Sequence, residues 1–472
     1  MAFLRQCRDA AVRDGHAKLV SISLAVDALD PLAVLESIFE PHEPHFYAER
    51  PAAATAVAGA EVALERLAQG SRRFAEIQAW VDETLAHSIA VGDVAAPFGG
   101  PHFFAGFTFE SESGPDEPFP AAYAFVPRWQ VALAGQTTTA VANLVVAPDA
   151  DLGRLAQRVW RAHQKFTRFE YPDSGDPVPP GNGAAGQAAP APPRGAGETA
   201  AGWTHREAGD YRAVVERAVT RIAAGDFTKI VLARARDLTA DRPLHPLRML
   251  NGLRQRFPDC YAFSFTRGRG PSFIGASPER LVRVSQGLLE TEALAGSIRR
   301  GAGASEDAAL AGALLRSEKD LREQRQVLDD IVARLLPLGL KPEYPAQPQV
   351  RRLANVQHLD TPVRATLPAG VPLLDLVAAM HPTPAVGGAP REAALARIRE
   401  LEGFSRGLYA GALGWVNSRG GGEFFVGIRS ALVDGARARL YAGAGIVAGS
   451  TPDKEFAETE LKFNAILAAL QA

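Results

Sequence analysis

The chain has 472 residues, with 51 Lys and Arg against 53 Asp and Glu, 47% hydrophobic and 22% charged residues. Such a composition buries a sizeable core and excludes global disorder, and the near-balanced charge argues against a nucleic-acid partner. Cys7 and Cys260 are too few for a disulfide framework or a zinc cluster, and no uncharged apolar run reaches the roughly 20 residues of a membrane-spanning helix. Arg5, Arg8 and Arg13 stand where a signal peptide needs an apolar stretch, so the expectation is a soluble, cytoplasmic protein that does not engage a membrane.

In chain order, residues 18–26 (KLVSISLAV), 102–110, 121–133 and 138–146 have the β-branched and aromatic content of strands, and 61–85 has helical spacing. No catalytic constellation stands out in this part, which reads as scaffold. Residues 172–201 are rich in Pro, Gly and Ala, with almost nothing to bury, and read as a linker or mobile loop. The segment divides an N-terminal part, 1–171, from a C-terminal part, 202–472; composition leaves open whether these are two domains or one fold with an insertion. Beyond it, 210–224 is expected as helix and 229–236 (KIVLARAR) as strand. Residues 261–267, 272–275 and 281–284 follow as strands, then a long helix over 305–336 and a shorter one over 391–401. Strands at 408–416, 423–432 and 438–442 and a closing helix at 452–470 complete a pattern of strand runs with helices grouped around them, which is α+β and not a doubly wound sheet.

Two motif matches fail their context. GAGIVA (443–448) fits the dinucleotide fingerprint, but the chain after it holds one helix and no room for a second strand. A weaker role remains, in which its glycines bring backbone N–H groups near an anion. GFSRG (403–407) fits a nucleophile elbow, yet it follows a helix, leads into a strand and has no histidine after it.

The two C-terminal helices carry a subtler signal. On the first, Leu310, Leu314, Leu321, Leu328, Val332 and Leu335 form an apolar stripe, with Asp320 and Glu323 an i, i+3 pair on its flank. On the last, Phe456, Phe463, Ile466, Leu467 and Leu470 face inward while Glu455, Glu458 and Lys462 share a flank. Two such helices can clamp one Mg²⁺ through carboxylate oxygens; spacing alone equally describes solvated charge on amphipathic helices.

The segments KIVLAR (229–234), GASPERL (275–281), LAGSIRRG (294–301), SEKDLRE (317–323), VQHLDTP (356–362), HPTPAVGG (381–388), GIRS (427–430), YAGAGIV (441–447) and EFAETELK (455–462) together resemble the chorismate-utilising enzymes. That family includes the isochorismate, salicylate, anthranilate and aminodeoxychorismate synthases. The resemblance implies the anthranilate synthase component I-like fold, a large α+β sandwich with helices packed outside, of which 1–171 is the more variable half. The strand lysine and HPTPAVGG resemble the isochorismate synthases; anthranilate synthases typically have glutamine where Lys229 stands, because ammonia is their nucleophile.

The activity so implied is the Mg²⁺-dependent conversion of chorismate to isochorismate, in menaquinone or siderophore biosynthesis. Water adds at C2, hydroxide leaves C4 and the double bonds shift, which needs a base on one face and an acid near the leaving oxygen. By resemblance Lys229 is the base, an amine that has to be neutral to act, and Glu279 is the acid, whose pKa has to be raised. Glu323 and Glu458 would bridge Mg²⁺ to the ring carboxylate, with Asp320 and Glu455 in support. Gly296 and Ser297, His358 and Lys462 would lie near that carboxylate; Arg429, Tyr409, Gly443 and Gly445 would line the enolpyruvyl side. One departure is the QRQ after Glu323, where many relatives place a histidine, so the shell around the carboxylate differs. Salicylate synthase and a non-catalytic chorismate-binding relative are the alternatives. Because water is the nucleophile, no glutamine amidotransferase subunit is expected, and the chain is expected as a monomer or weak homo-oligomer.

Overall fold

A computed structural model describes residues 1–38, 43–115, 117–167, 203–268, 270–354 and 356–470. The 172–201 segment lies outside the described residues. Strand pairing is antiparallel throughout, except that Lys18–Val26 also pairs in parallel with Ser88–Gly92. Two layers grow from the long strand Ala122–Ala134. One runs through Thr55–Ala68, Pro44–Arg50, Tyr261–Arg267, Ser272–Ser277, Ser430–Asp434 and Arg437–Val447 to Lys229–Thr239. The other runs through His102–Phe107, Ala412–Asn417, Gly422–Val426, Arg280–Ser285 and Leu288–Arg299 to Val356–Thr366. Each layer therefore contains strands from both sides of the 172–201 segment.

Alternation along these strands turns aromatic side chains into the space between the layers. Phe46 stacks on Phe104 with ring centroids 4.6 Å apart, and Phe263 meets Phe425 at 5.2 Å. Such rings bury large apolar areas and lock the layers in one register. Helices cover the outside: Glu318–Leu335 on Leu288–Arg299, and Pro452–Leu470 on Arg437–Val447. The architecture is the α+β sandwich expected from the sequence. Among the described residues no helix is long and apolar enough to cross a membrane.

Three expectations are corrected. The helix expected over 61–85 is instead the end of the strand Thr55–Ala68 followed by the helix Arg73–Ala86. The stretch after Glu61 has helix-forming composition, but its backbone bonds to Ala122–Ala134, with a bulge between Val62 and Leu64, and cross-strand pairing overrides local preference. The single helix over 305–336 is two, Ala304–Arg316 and Glu318–Leu335. Ser317 between them is extended and its hydroxyl accepts from the Asp320 amide at 3.3 Å, an N-cap that starts a new helix. Phase is lost at the break: Leu314, Leu328 and Leu335 are buried together with Gln324, Val327 and Ile331, whereas Leu310, Leu321 and Val332 are half-buried. The strand expected over 423–432 is likewise two, Gly422–Val426 and Ser430–Asp434.

That last break positions the site. Gly422–Val426 belongs to one layer and Ser430–Asp434 to the other, so 427–429 is a crossover. A second crossover, at Pro278 and Glu279, joins Ser272–Ser277 to Arg280–Ser285. The two lie side by side: the Ala276 amide donates to the Arg429 carbonyl at 3.0 Å and the Val426 amide to the Glu279 carbonyl at 3.1 Å.

Candidate active site

Glu279 is only 7% exposed. Burial pushes its carboxyl up to about 7, with the negative charge of Glu292 adding to the effect, while the Thr383 hydrogen bond, Lys229 and Arg429 work against it. The Thr383 hydroxyl donates to Glu279 Oε1 at 3.2 Å. Lys229 opens its strand, and at 3% exposure its ammonium group meets Glu323 Oε1 at 2.7 Å. Burial tends to raise the Glu323 carboxyl, but the charge and hydrogen bond of Lys229 prevail and hold it below its ordinary value. Lys229 also acts electrostatically on Glu279, so the two groups lie within reach of each other's charge.

Arg429 ends the other crossover with φ of 50°, a left-handed conformation that is uncommon for a residue with a side chain and that turns the guanidinium inward. Its Nη2 lies 3.3 Å from His358 Nε2 and its Nη1 4.0 Å from Cys260 Sγ. Burial lowers its pKa, and among the described residues no carboxylate forms an ion pair with it. A half-buried guanidinium without an ion-paired carboxylate suits a carboxylate ligand.

Burial, reinforced by Arg429 and Lys462, pushes the His358 imidazole down to about 3, so the ring is neutral. Because Arg429 can only donate, Nε2 is the acceptor, and Nδ1 donates to the Ser297 hydroxyl 2.8 Å away. Ser297 follows Gly296, which has φ of +73° at a bulge in the pairing with Val356–Thr366. A Cβ on Gly296 would come within 3.0 Å of Asp320 Cβ, so glycine both relieves the backbone and admits the helix Glu318–Leu335.

Gly443 and Gly445 lie inside the strand Arg437–Val447, paired with Lys229–Thr239, and not in a phosphate-binding turn. A Cβ on Gly443 would stand 2.8 Å from the Tyr409 hydroxyl; one on Gly445 would stand 3.2 Å from Lys229 Cε and 3.8 Å from Glu323 Oε1. Tyr409 stacks on Tyr441 at 5.0 Å. Lys462 bridges the last helix to this strand, donating to the Gly443 carbonyl and to Glu458 Oε1, each at 2.7 Å.

The carboxylates are less convergent. Glu323 holds Lys229, Glu458 holds Lys462 with 48% of its side chain exposed, and Asp320 accepts from the Ser317 hydroxyl within its own cap. Among the described residues no three His, Cys, Asp or Glu side chains are gathered as a metal cage. The donor chemistry nevertheless suits a hard cation: all are oxygen ligands, and ammonium groups sit against Glu323 and Glu458. Burial raises Glu455 against a hydrogen bond from Ser450, and the like charge of Glu458 adds to the rise, while Lys319 and Lys462 act to lower both Glu455 and Glu323. Gln324, which follows Glu323, donates to the Thr361 hydroxyl and ties the helix to the sheet.

Two groups escaped the sequence reading. Thr383 lies in HPTPAVGG, a segment noted for its resemblance and given no residue role. Glu292 touches the Arg280 amide at 3.2 Å and is clamped by Arg351 at 2.8 and 2.7 Å, contacts made across strands and invisible to local spacing.

The family described as chorismate binding enzyme matches residues 2–471. A salicylate biosynthesis isochorismate synthase of Pseudomonas aeruginosa is 38% identical over 96% of this chain and 90% of that protein. Isochorismate synthase MenF of Bacillus subtilis is 31% identical over 96% of this chain and 94% of that protein. The solved structure of MenF, the menaquinone-specific isochorismate synthase of Escherichia coli, superposes with a TM-score of 0.75 at 26% identity, covering 99% of this chain and 100% of that one.

Proposed function

The chain belongs to the chorismate-binding enzyme family, and on that premise we propose that it is an isochorismate synthase, an enzyme that isomerises chorismate to isochorismate. The observation that supports the reading is a buried carboxyl, Glu279, raised to about 7 and within electrostatic reach of the buried Lys229 and of Arg429, a guanidinium that no carboxylate ion-pairs among the described residues. In its neutral form Lys229 takes a proton from a water placed at C2, and Glu279 in its acid form gives its proton to the C4 oxygen, which leaves as water. The atoms balance: one water enters, one departs, and the proton taken by Lys229 restores Glu279 for the next turnover. A carboxyl titrating near 7 is half protonated at neutral pH and so has an acid form to spend.

Arg429 orients the enolpyruvyl carboxylate, with Tyr409 and the backbone at Gly443 and Gly445 shaping that wall. Neutral His358, Ser297, the Gly296 turn and Lys462 orient the ring carboxylate. Glu323 and Glu458 would hold Mg²⁺, with Asp320 and Glu455 in support, and the chemistry so supplied would be neutralisation of the ring carboxylate and withdrawal of charge from the ring. No amidotransferase subunit is needed when water is the nucleophile, and we place the chain in the cytoplasm, where Cys7 and Cys260 stay reduced.

Incubation of the protein alone with chorismate and Mg²⁺, followed by chromatography, tests the reading. Isochorismate is the expected product. Salicylate and pyruvate would move the chain to the salicylate synthases, and unchanged chorismate would leave it a binding relative.

A further inference from the structure

Glu402 and Arg406 form an ion pair whose side chains are 0% and 1% exposed. Two charges so deep cost several kcal/mol of desolvation each, and they are a poor means of adding stability. What distinguishes this pair is where its remaining hydrogen bonds go. Arg406 Nη2 donates to the Val231 carbonyl at 2.7 Å and Nη1 to the Val386 carbonyl at 2.8 Å, while Glu402 Oε1 accepts from the Ala233 amide at 2.6 Å. Phe109 closes the far face, its ring centroid 4.2 Å from the guanidinium carbon.

One carbonyl belongs to the strand that carries Lys229, the other to the turn that holds Glu279. Val231 lies just along the strand from Lys229, and Val386 just past Thr383, which grips Glu279. The segments also touch directly: the Val231 amide donates to the Gly387 carbonyl at 2.8 Å, and a Cβ on Gly388 would lie 2.4 Å from the Lys229 carbonyl oxygen. The guanidinium fork thus spans strand and turn and holds them at one spacing.

We propose that Glu402 and Arg406 are a positioning pair that fixes the Lys229 strand against the Thr383 turn, and so sets how the amine and the Glu279 carboxyl face each other. The inference rests on the reading of those two groups as base and acid. Misplacement of reacting groups by about 1 Å costs on the order of 100-fold in rate, whereas Arg429 and His358, the proposed carboxylate binders, make their hydrogen bonds to other groups than this pair.

Two variants test it. Arg406→Lys keeps the charge beside Glu402 but replaces a planar fork with a point donor that cannot serve both carbonyls. The double variant Glu402→Leu with Arg406→Met replaces the pair by apolar bulk, an exchange buried ion pairs often tolerate without loss of stability. In each variant that melts cooperatively, kcat for isochorismate formation is expected to fall about 100-fold with KM within about threefold. In parallel, labelling of Lys229 by an amine-reactive reagent without substrate, read by peptide mass spectrometry, is expected to rise about tenfold as strand and turn loosen. Wild-type kcat in a folded variant, or unchanged Lys229 labelling, overturns the inference. Should the double variant not fold, Arg406→Lys decides; should the wild-type protein fail to convert chorismate, the functional reading falls and the labelling alone decides the positioning claim.

Discussion

Two regions of the candidate site are built on different principles. On the sheet side, Lys229 at the start of its strand and Glu279 at a crossover are 3% and 7% exposed, Glu279 held by Thr383 and Lys229 by Glu323 of the covering helix. On the helix flanks, Glu458 keeps 48% of its side chain exposed and Lys462 39%, and they answer each other on one helix. The same chemical group behaves differently in each: the buried Glu279 carboxyl is pushed up to about 7, whereas Glu323, also largely buried, is held low by the ammonium it touches. Burial alone decides little until the neighbouring charge is named. The acid–base side is organised by the sandwich itself, while the carboxylate side keeps long, charge-paired side chains that a cation can rearrange.

The largest expected effect breaks the first region. Lys229→Gln removes the base without emptying the cavity, and kcat for water addition is expected to fall at least about 1,000-fold while chorismate affinity by calorimetry stays within about threefold. Turnover like wild type would remove Lys229 from the mechanism. The second region is broken by chelation or by Glu323→Ala: excess EDTA should abolish activity and Mg²⁺ restore it. In the variant, Mg²⁺ affinity should weaken roughly 100-fold, read by titration calorimetry on the free protein.

Smaller changes sharpen the comparison. Gly445→Ala puts a methyl 3.2 Å from Lys229 Cε, so the amine has to shift; we expect up to about tenfold lower kcat and about 1–3 kcal/mol of stability, measured by denaturant unfolding. The finest test is pH. A Glu279 carboxyl near 7 is protonated below that value, so kcat should fall as pH rises through about 7. The Thr383 hydrogen bond favours the charged form, so Thr383→Val should move this limb upward, by roughly one pH unit or less, whereas the corresponding limb should stay in place in Glu458→Gln, on the opposite region.

Much of this was legible in the chain. Lys18–Val26, Tyr261–Arg267 and Pro452–Leu470 have the boundaries read from pattern, because alternation and helical spacing there agree with what the tertiary structure requires. Segments after Glu61 and around Ser317 misled, the first because sheet partners far along the chain outvoted its helix formers, the second because one hydroxyl stops and restarts a helix. Motif resemblance singled out Lys229, Glu279, Arg429 and His358, which the fold brings to adjoining strands and crossovers. Thr383, Glu292 and the Glu402–Arg406 pair were missed for a common reason: the contacts that give them a role, with Glu279, Arg351 and the Val231 and Val386 carbonyls, are remote in sequence, and such side chains look on paper like any polar surface residue.

Glu279 and Arg429 stand on two of the links by which the chain passes between layers, and neither layer alone can hold them in place. If they act as proposed, a partly assembled chain, with one sheet formed and the other still open, would be catalytically silent, however native its strands. Recovery of turnover after dilution from denaturant should trail the return of sheet signal, which makes the enzyme a built-in reporter of the moment its two halves close.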